Sequence, residues 1–277
     1  MLAKKHSGNI TSYDLLKTFA VIIMIIDHIG FYFFPEQEWW RALGRLCVPI
    51  WFFLVGYART RFIPKTWIFG CLILVFANII TGMSIFALNV LATMIAVRLI
   101  LDPVMRIVIK SSLHSWMTVI LLFILVFPTD FISEYGAQGL LAAMYGYLVR
   151  SKDSLKDKNL VINFMLYSFF VFIFYQQITF GFSTWPMNFM IFGTLIVNLY
   201  LLSFSSISYP VLTQKTPKPL VRFFHFCGHR TLEVYVVHLV LFKFMALFLG
   251  MEMFGWFDLK LYDDKAFFIQ LIGLFFK

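Results

Sequence analysis

The chain of 277 residues is 61% hydrophobic and only 13% charged, with a mean hydropathy of +0.84. Soluble domains contain about 25% charged residues, so this composition excludes a soluble globular protein and predicts one integral membrane domain over residues 1–277, in contact with membrane lipids. The net charge of +9 is distributed over short connections, which indicates membrane orientation and not nucleic-acid binding.

Ten apolar segments predict an all-α fold, a polytopic transmembrane helix bundle of about ten helices. The first segment is too long for a signal-peptide core and no cleavage site follows it, so we expect it to be retained. Three segments are shorter than the ~20 residues of a straight span, which leaves tilted, re-entrant and interfacial arrangements open for 45–58, 137–149 and 265–276. The ten segments are approximately 14–34, 45–58, 67–82, 86–101, 115–128, 137–149, 160–179, 187–206, 229–249 and 265–276.

The charges of the connections alternate along the chain. Even-numbered connections are basic, whereas the third, fifth and seventh contain no Lys or Arg. Because short basic connections stay in the cytoplasm, this alternation predicts that both termini are cytoplasmic. Arg41 and Arg45 in the first connection break the pattern, which suggests that they serve another purpose. The basic residues of the even connections are Arg59, Arg61, Lys65, Arg98, Arg106, Lys110, Arg150, Lys152, Lys156, Lys158, Lys215, Lys218 and Arg222.

The segment DLLKTFAVIIMIIDHIGFYFF, residues 14–34, carries ionisable side chains within an apolar run. Lys17 and His28 are eleven residues apart, about three helical turns, so they share one face and lie ~16 Å apart along the axis. Asp27 is rotated by about 100° from His28. Ionisable residues inside a membrane indicate function, although a polar contact that clamps two helices is the alternative for both Asp27 and His28.

The stretch RALGRLCVPIWFFLVGYARTRF, residues 41–62, places Arg41 and Arg45 one helical turn apart. Arg45 borders an apolar run, and a buried guanidinium needs a partner. Asp27 or a substrate anion would serve as that partner.

The stretch HFCGHRTLEVYVVHLVLFK, residues 225–243, contributes a histidine near mid-membrane. His238 lies about ten residues into an apolar segment, where it either lines a cavity or makes a structural hydrogen bond. Glu233 is spaced to pair with His229 or Arg230 at the start of this helix.

His225 and His229 are four residues apart, which is a spacing that metal sites use on helices. We expect Gly228 to interrupt the helix between them. The three cysteines show no ligand spacing either. The sequence therefore predicts no metal site.

Three stretches together carry a resemblance to a known family. YDLLKTFAVIIMIIDHIG, LGRLCVPIWFFLVGY and LEVYVVHLVLF, in this order, resemble the TraX family of integral membrane proteins. That family is related to the wider group of membrane-bound acyltransferases, including the acyltransferase-three and heparan-glucosaminide acetyltransferase families, and TraX is associated with N-terminal acetylation of conjugative pilin. Lys17 and His28 match the acyltransferase-three spacing of an Arg, ten residues and an essential His; Lys keeps the charge of Arg but not its bidentate geometry.

The resemblance implies an acyltransferase of the bacterial inner membrane that transfers an acyl group, acetyl in the first instance, from acetyl-CoA or another acyl-CoA and needs no metal. His28 would act as a general base or carry the acyl group. The acceptor would be a hydroxyl or amine of a pilin N-terminus, a glycan or a lipid head group. The expected site residues are His28, Asp27 and Arg45 for catalysis, Lys17 for the acyl-CoA donor, and Arg41, His238 and Glu233 for the substrate.

Two other classes of protein stay open at this point. In a proton-coupled small-molecule transporter, the intramembrane Asp, His and Glu side chains would relay protons. In a non-catalytic membrane scaffold, the same side chains would only join helices. Protection of the protein by acetyl-CoA against thermal unfolding would favour the acyltransferase.

Overall fold

The computed structural model describes residues 8–155 and 157–261, and the fold of this part of the chain is all-α. Nine of the ten predicted segments form helices, while the tenth, 265–276, lies outside the described residues. The helices are α1 Ser12–Phe33, α2 Glu38–Gly44, α3 Cys47–Tyr57, α4 Lys65–Thr81, α5 Val90–Val108, α6 Ser112–Ile132, α7 Gly136–Ser151, α8 Asn159–Phe180, α9 Thr184–Leu202, α10 Pro210–Lys215, α11 Lys218–His229 and α12 Thr231–Phe248, with a 3-10 turn at Lys152–Ser154.

Five of the described helices, α1, α6, α8, α9 and α12, are long and apolar enough to cross a membrane. Large apolar side chains are exposed along their outer faces, for example Ile124 on α6, Phe170 on α8 and Ile196 on α9. Such a surface is unfavourable in water and suits contact with lipid. The prediction of a membrane protein made of helices is therefore supported by length, composition and surface.

Hydropathy placed one helix end too early. The predicted segment 86–101 stops just before Asp102, but α5 continues to Val108. The extension is amphipathic, because Val97, Leu101, Met105 and Val108 are buried at helical spacing while the charges face outward. The short helices α2, α10 and α11 were also missed, since they lie in connections that are not apolar throughout.

Two of the short segments form a buried helix pair at the centre of the bundle. α3 and α7 pack backbone to backbone, because a Cβ on Gly56 would lie 1.8 Å from the carbonyl oxygen of Ala143 and one on Gly146 would lie 2.1 Å from that of Phe53. Small residues at crossing points allow this approach in membrane bundles. These segments are therefore short because they fill the core, with little surface for lipid.

The connections segregate to two ends of the bundle. At one end, Glu38 of the first connection accepts hydrogen bonds from Ser183 of the seventh, and the backbones of residues 88 and 133 join the third to the fifth. At the other end, Arg61 of the second connection pairs with Asp102 of α5 at 2.9 Å. Odd and even connections therefore lie at opposite ends, as the alternation of charge requires.

Candidate functional site

A cavity of about 550 Å³ lies at the end of the bundle where the odd connections meet. Its walls come from the last turns of α1, α4, α6 and α8, from the connections that follow, and from the middle of α12. Three carboxyl groups and three cations face this space, so their formal charges balance. The ionisable side chains on the wall are Asp27, His28, Arg41, Arg45, Asp130, Glu134 and Lys243, with the phenols of Tyr32, Tyr135, Tyr175 and Tyr235.

Asp27 joins the two arginines of the first connection. Arg41 Nη1 lies 2.9 Å from Asp27 Oδ2, and Arg45 Nε lies 3.6 Å from Asp27 Oδ1. α2 can approach α1 this closely because residue 44 is Gly44, where a Cβ would lie 2.2 Å from the Cβ of Asp27. Of the two partners that the sequence left open for Arg45, Asp27 is the one observed, and this pairing explains why two basic residues stand in an odd connection.

The two guanidinium groups share further contacts that fix their planes. The ring centroid of Phe180 lies 5.2 Å from Arg41 Cζ and 4.6 Å from Arg45 Cζ. Arg45 also donates a hydrogen bond to the phenol oxygen of Tyr135. Because Asp27 and Arg45 are both buried, each charge depends on the other for its stabilisation.

A pair of histidines forms the second feature of the cavity. His28 Nδ1 lies 2.7 Å from His238 Nε2, and His238 Nδ1 lies 2.5 Å from the carbonyl oxygen of Val234. A carbonyl only accepts, so with both rings neutral His238 carries its proton on Nδ1 and its Nε2 is an acceptor. His28 therefore donates from Nδ1, and its own Nε2 is the unprotonated nitrogen.

This arrangement gives His28 and His238 different roles. His28 lines the cavity and is partly accessible, whereas His238 stands behind it, buried on α12. None of the described residues hydrogen-bonds His28 Nε2, so this nitrogen is free to accept a proton. Of the two possibilities that the sequence left open for His238, the structural hydrogen bond is the one observed.

Asp130 and Glu134 belong to the site and were missed in the sequence. Asp130 accepts hydrogen bonds from the phenol of Tyr175 and, at 2.7 Å, from the backbone N–H of Tyr135. Glu134 has an exposed side chain that lines the cavity, yet desolvation by the surrounding protein raises its pKa to about 7, opposed by the charges of Lys243 and Arg45. The acidic fifth connection is thus folded into the site.

Lys243 is the third cation of the cavity and was also missed. It is 5% exposed, and Nζ donates to Asn78 Oδ1 and lies 3.4 Å from Met83 Sδ. A lysine twelve residues into the apolar α12 is itself a signal of intramembrane function. Asp130 in the last turn of α6 carries the same signal.

Two predicted site residues lie away from the cavity. Lys17 Nζ donates to the carbonyl oxygen of Gly228 at 3.0 Å, at the other end of α1. Glu233 is exposed and forms an ion pair with Arg230 at 2.8 Å. The cavity thus brings together Asp27, His28, Arg41 and Arg45, with His238 in support, and leaves Lys17 and Glu233 outside.

The expectation that Gly228 interrupts a helix is wrong. α11 continues through Gly228 to His229. A Cβ at residue 228 would lie 2.2 Å from Asp14 Oδ1, so glycine is needed here for the close approach of α11 to α1. As a result, His225 and His229 lie on one continuous helix and face Asp14.

A family profile described as TraX protein matches residues 12–243, a range that includes every residue of the cavity. The uncharacterized protein RP591 of Rickettsia prowazekii (strain Madrid E) is 42% identical over 78 residues, which are 26% of this chain and 30% of that relative. The match therefore covers less than a third of the relative's length. No solved structure matches the chain.

Proposed function

The chain belongs to the TraX family, and from this premise we propose that it is a membrane-bound acyltransferase that moves an acyl group, acetyl in the first instance, from acyl-CoA to an acceptor hydroxyl or amine. The proposal rests on one observation above all. His28 lines a partly open cavity with its Nε2 unprotonated, while its Nδ1 is held by His238. A positioned, neutral imidazole is the commonest general base of enzymes.

The chemistry follows from this geometry. His28 Nε2 takes the proton of the acceptor as its oxygen or nitrogen attacks the carbonyl carbon of the thioester. The C–S bond of the tetrahedral intermediate then breaks, and the imidazolium returns the proton to the CoA thiolate. The Nδ1–H bond to His238 persists throughout, so the ring keeps its orientation.

The arginines supply the positive charge that an acyl-transfer transition state requires. Arg45 and Arg41 would stabilise the developing oxyanion or hold an anionic acceptor. Asp27 touches both guanidinium groups, so it acts as a positioning residue for them. The restraint matters because preorganised charge in a water-poor site is worth far more than the same charge in water.

The arrangement of the connections supports a direction of transfer. If both termini are cytoplasmic, the basic even connections face the cytoplasm and the cavity faces the outer side of the inner membrane. Acyl-CoA is a cytoplasmic anion, and Lys17 lies at the cytoplasmic end of α1, ~16 Å from His28 along the axis. Binding of the donor by Lys17 requires its amine to leave the Gly228 carbonyl. The acceptor would then be a pilin N-terminus, a glycan or a lipid head group.

The test compares three proteins reconstituted in lipid vesicles and supplied with radiolabelled acetyl-CoA. A peptide amine, a hexose and phosphatidylethanolamine serve as acceptors. We expect the wild type to release CoA and label at least one acceptor, and His28→Gln to lower the rate at least 100-fold. His114→Gln is the matched control, because His114 is exposed at the start of α6, far from the cavity in the fold.

Full activity of a folded His28→Gln variant would contradict the proposal. A second candidate, a proton-coupled transporter, is favoured by the number of titratable groups that share the cavity. It predicts uptake of a solute driven by a pH gradient, with no label transferred to any acceptor. Measuring both readouts on the same vesicles separates the two functions.

A further inference from the structure

A second cluster of chemically active side chains lies where the start of α1 meets the end of α11. The ligand atoms of Asp14, His225 and His229 all lie within 4.8 Å of one another. Asp14 is buried, while the side chains of His225 and His229 are 25% and 50% exposed. One carboxylate and two imidazoles are a ligand set that first-row divalent metal ions use.

The distances between the carboxylate oxygens of Asp14 and the histidine nitrogens match the spacing of metal ligands better than the length of a hydrogen bond. His225 Nδ1 lies 3.6 Å from Asp14 Oδ2, and His229 Nε2 lies 3.7 Å from Asp14 Oδ1. Hydrogen bonds between nitrogen and oxygen are about 2.7–3.2 Å long. Two ligands at ~2.1 Å from a tetrahedral Zn²⁺ are about 3.4 Å apart.

The tautomer of His225 also favours a metal ion at this cluster. Its Nε2 makes a long contact of 3.4 Å with the carbonyl oxygen of Gly8, and because a carbonyl only accepts, this contact favours the proton on Nε2. Nδ1 is buried without a hydrogen-bond partner among the described residues, and in a neutral ring its lone pair faces the carboxylate of Asp14. Two acceptors that face each other are stabilised either by a second proton on the ring or by a metal cation between them, and the separation of 3.6 Å is longer than a hydrogen bond. Donation of the second N–H to a backbone carbonyl is also typical of a metal-bound histidine.

The surrounding fold holds the three ligands in place. The rings of His225 and His229 are stacked one turn apart on α11, with centroids 5.5 Å apart and planes 11° apart. Asp14 is fixed by Thr11, whose backbone N–H and hydroxyl donate to Oδ2 at 2.9 and 2.7 Å. The amine of Lys17 donates to the Gly228 carbonyl. Lys17 therefore does not occupy the position next to the carboxylate of Asp14 where a metal ion would bind.

We propose that Asp14, His225 and His229 bind one divalent metal ion of the Zn²⁺ class, which ties α11 to α1. Three protein ligands leave coordination positions open for water or for an anionic oxygen. The proposal does not depend on the acyltransferase function, because none of these residues lines the cavity.

The test uses full-length protein in detergent, purified through a tag that contains no histidine and stripped with EDTA. Zn²⁺ is titrated calorimetrically and the melting temperature is followed. We expect one Zn²⁺ per chain, a rise in melting temperature, and a loss of affinity of at least 100-fold in both His225→Gln and His229→Gln. His114→Gln and His28→Gln are controls, and we expect both to bind Zn²⁺ as the wild type does.

The half-exposed His229 keeps the test decisive, because its substitution removes a ligand without opening the core. The melting temperature of the stripped His229→Gln protein verifies that it is folded. A wild type that binds Zn²⁺ with a Kd weaker than about 100 μM would overturn the proposal, as would unchanged binding in both ligand variants. Loss of binding in His28→Gln alone would place the ion in the cavity instead, which also overturns it.

Discussion

The two ends of the bundle use charge in opposite ways. At the cavity end, Asp27 and Arg45 are buried and paired with each other on the wall of the cavity. At the other end, Arg61 and Asp102 form an ion pair in which the carboxylate side chain is 44% exposed. Buried pairs carry a large desolvation cost that exposed pairs avoid. The cavity end therefore contains buried charges whose desolvation destabilises the fold, and such charges are typical of a functional site.

The difference also shows which charges hold the fold together. At the even-connection end, Arg61 and Arg150 donate to backbone carbonyls of residues 55–58 and cover the end of α3. These contacts satisfy carbonyl groups that a helix end leaves free. At the cavity end, the guanidinium groups of Arg41 and Arg45 are held by a carboxylate and by aromatic rings, with Arg41 taking only one backbone carbonyl, that of Asp27. At the first end the charges satisfy the end of a helix, whereas at the second they pair with one another around the cavity.

Substitution of one carboxylate at each end gives the largest expected contrast. Asp27→Asn keeps the volume of the side chain but removes the carboxylate that pairs with the buried Arg45 and the partly buried Arg41, so we expect a loss of about 3–5 kcal/mol of stability. Asp102→Asn removes the partner of a partly exposed pair and should cost less than about 1 kcal/mol. Unfolding of both variants in mixed micelles, followed by tryptophan fluorescence, measures the difference. Equal losses would show that Asp27 does not carry a compensating charge.

The histidine pair gives the next largest effect, on rate instead of stability. His238→Leu removes the acceptor that orients His28, so we expect kcat for acetyl transfer to fall about 10- to 100-fold while KM for acetyl-CoA is unchanged. His238→Gln retains an acceptor oxygen and should recover part of the rate. A KM that rises with kcat unchanged would assign His238 to substrate binding, as the sequence predicted.

Most of the fold could be predicted because hydropathy reports directly on lipid-facing helices. The boundaries of α1, α4 and α8 fell within a few residues of the predictions. The short segments 45–58 and 137–149 remained ambiguous, since their lengths reflect burial between helices and not the thickness of a membrane. Helices α2 and α11 were missed because tertiary contacts stabilise them.

The site was predictable where an ionisable residue interrupts an apolar run, and not elsewhere. Asp27 and His28 stand out in this way, and Arg45 stands out beside an apolar segment. Glu134 does not, because in the sequence it belongs to a polar connection, and only the folding of that connection over α6 brings it to the cavity. The prediction that Gly228 ends a helix was wrong because the low helix propensity of glycine, about 1 kcal/mol, is outweighed by the close packing of α11 on α1.

The raised pKa of Glu134 predicts a pH dependence that is confined to the cavity end. Because its pKa is about 7 in the folded protein, above the usual value of 4.5, the folded state favours the protonated carboxyl. Its contribution to stability is complete below pH 4.5 and is lost as the pH rises through 7. The difference in melting temperature between wild type and Glu134→Gln should therefore be constant below pH 4.5. Towards pH 7 the melting temperature of the wild type should decrease relative to that of the variant. Parallel curves over the whole range would show that water in the cavity hydrates the carboxylate fully.

The smallest effect is expected at Glu233, the one predicted substrate residue that lies on the exposed surface of α12. Its ion pair with Arg230 is solvent-exposed on both sides, at 50% and 64% of the side chains. Exposed pairs of this kind contribute between zero and about 1 kcal/mol. Glu233→Ala should therefore change neither the melting temperature by more than a few degrees nor the rate of acetyl transfer. A rate that fell as far as that of His238→Leu would mean that the acceptor reaches the cavity along α12, and that the functional end of the molecule extends beyond the cavity wall.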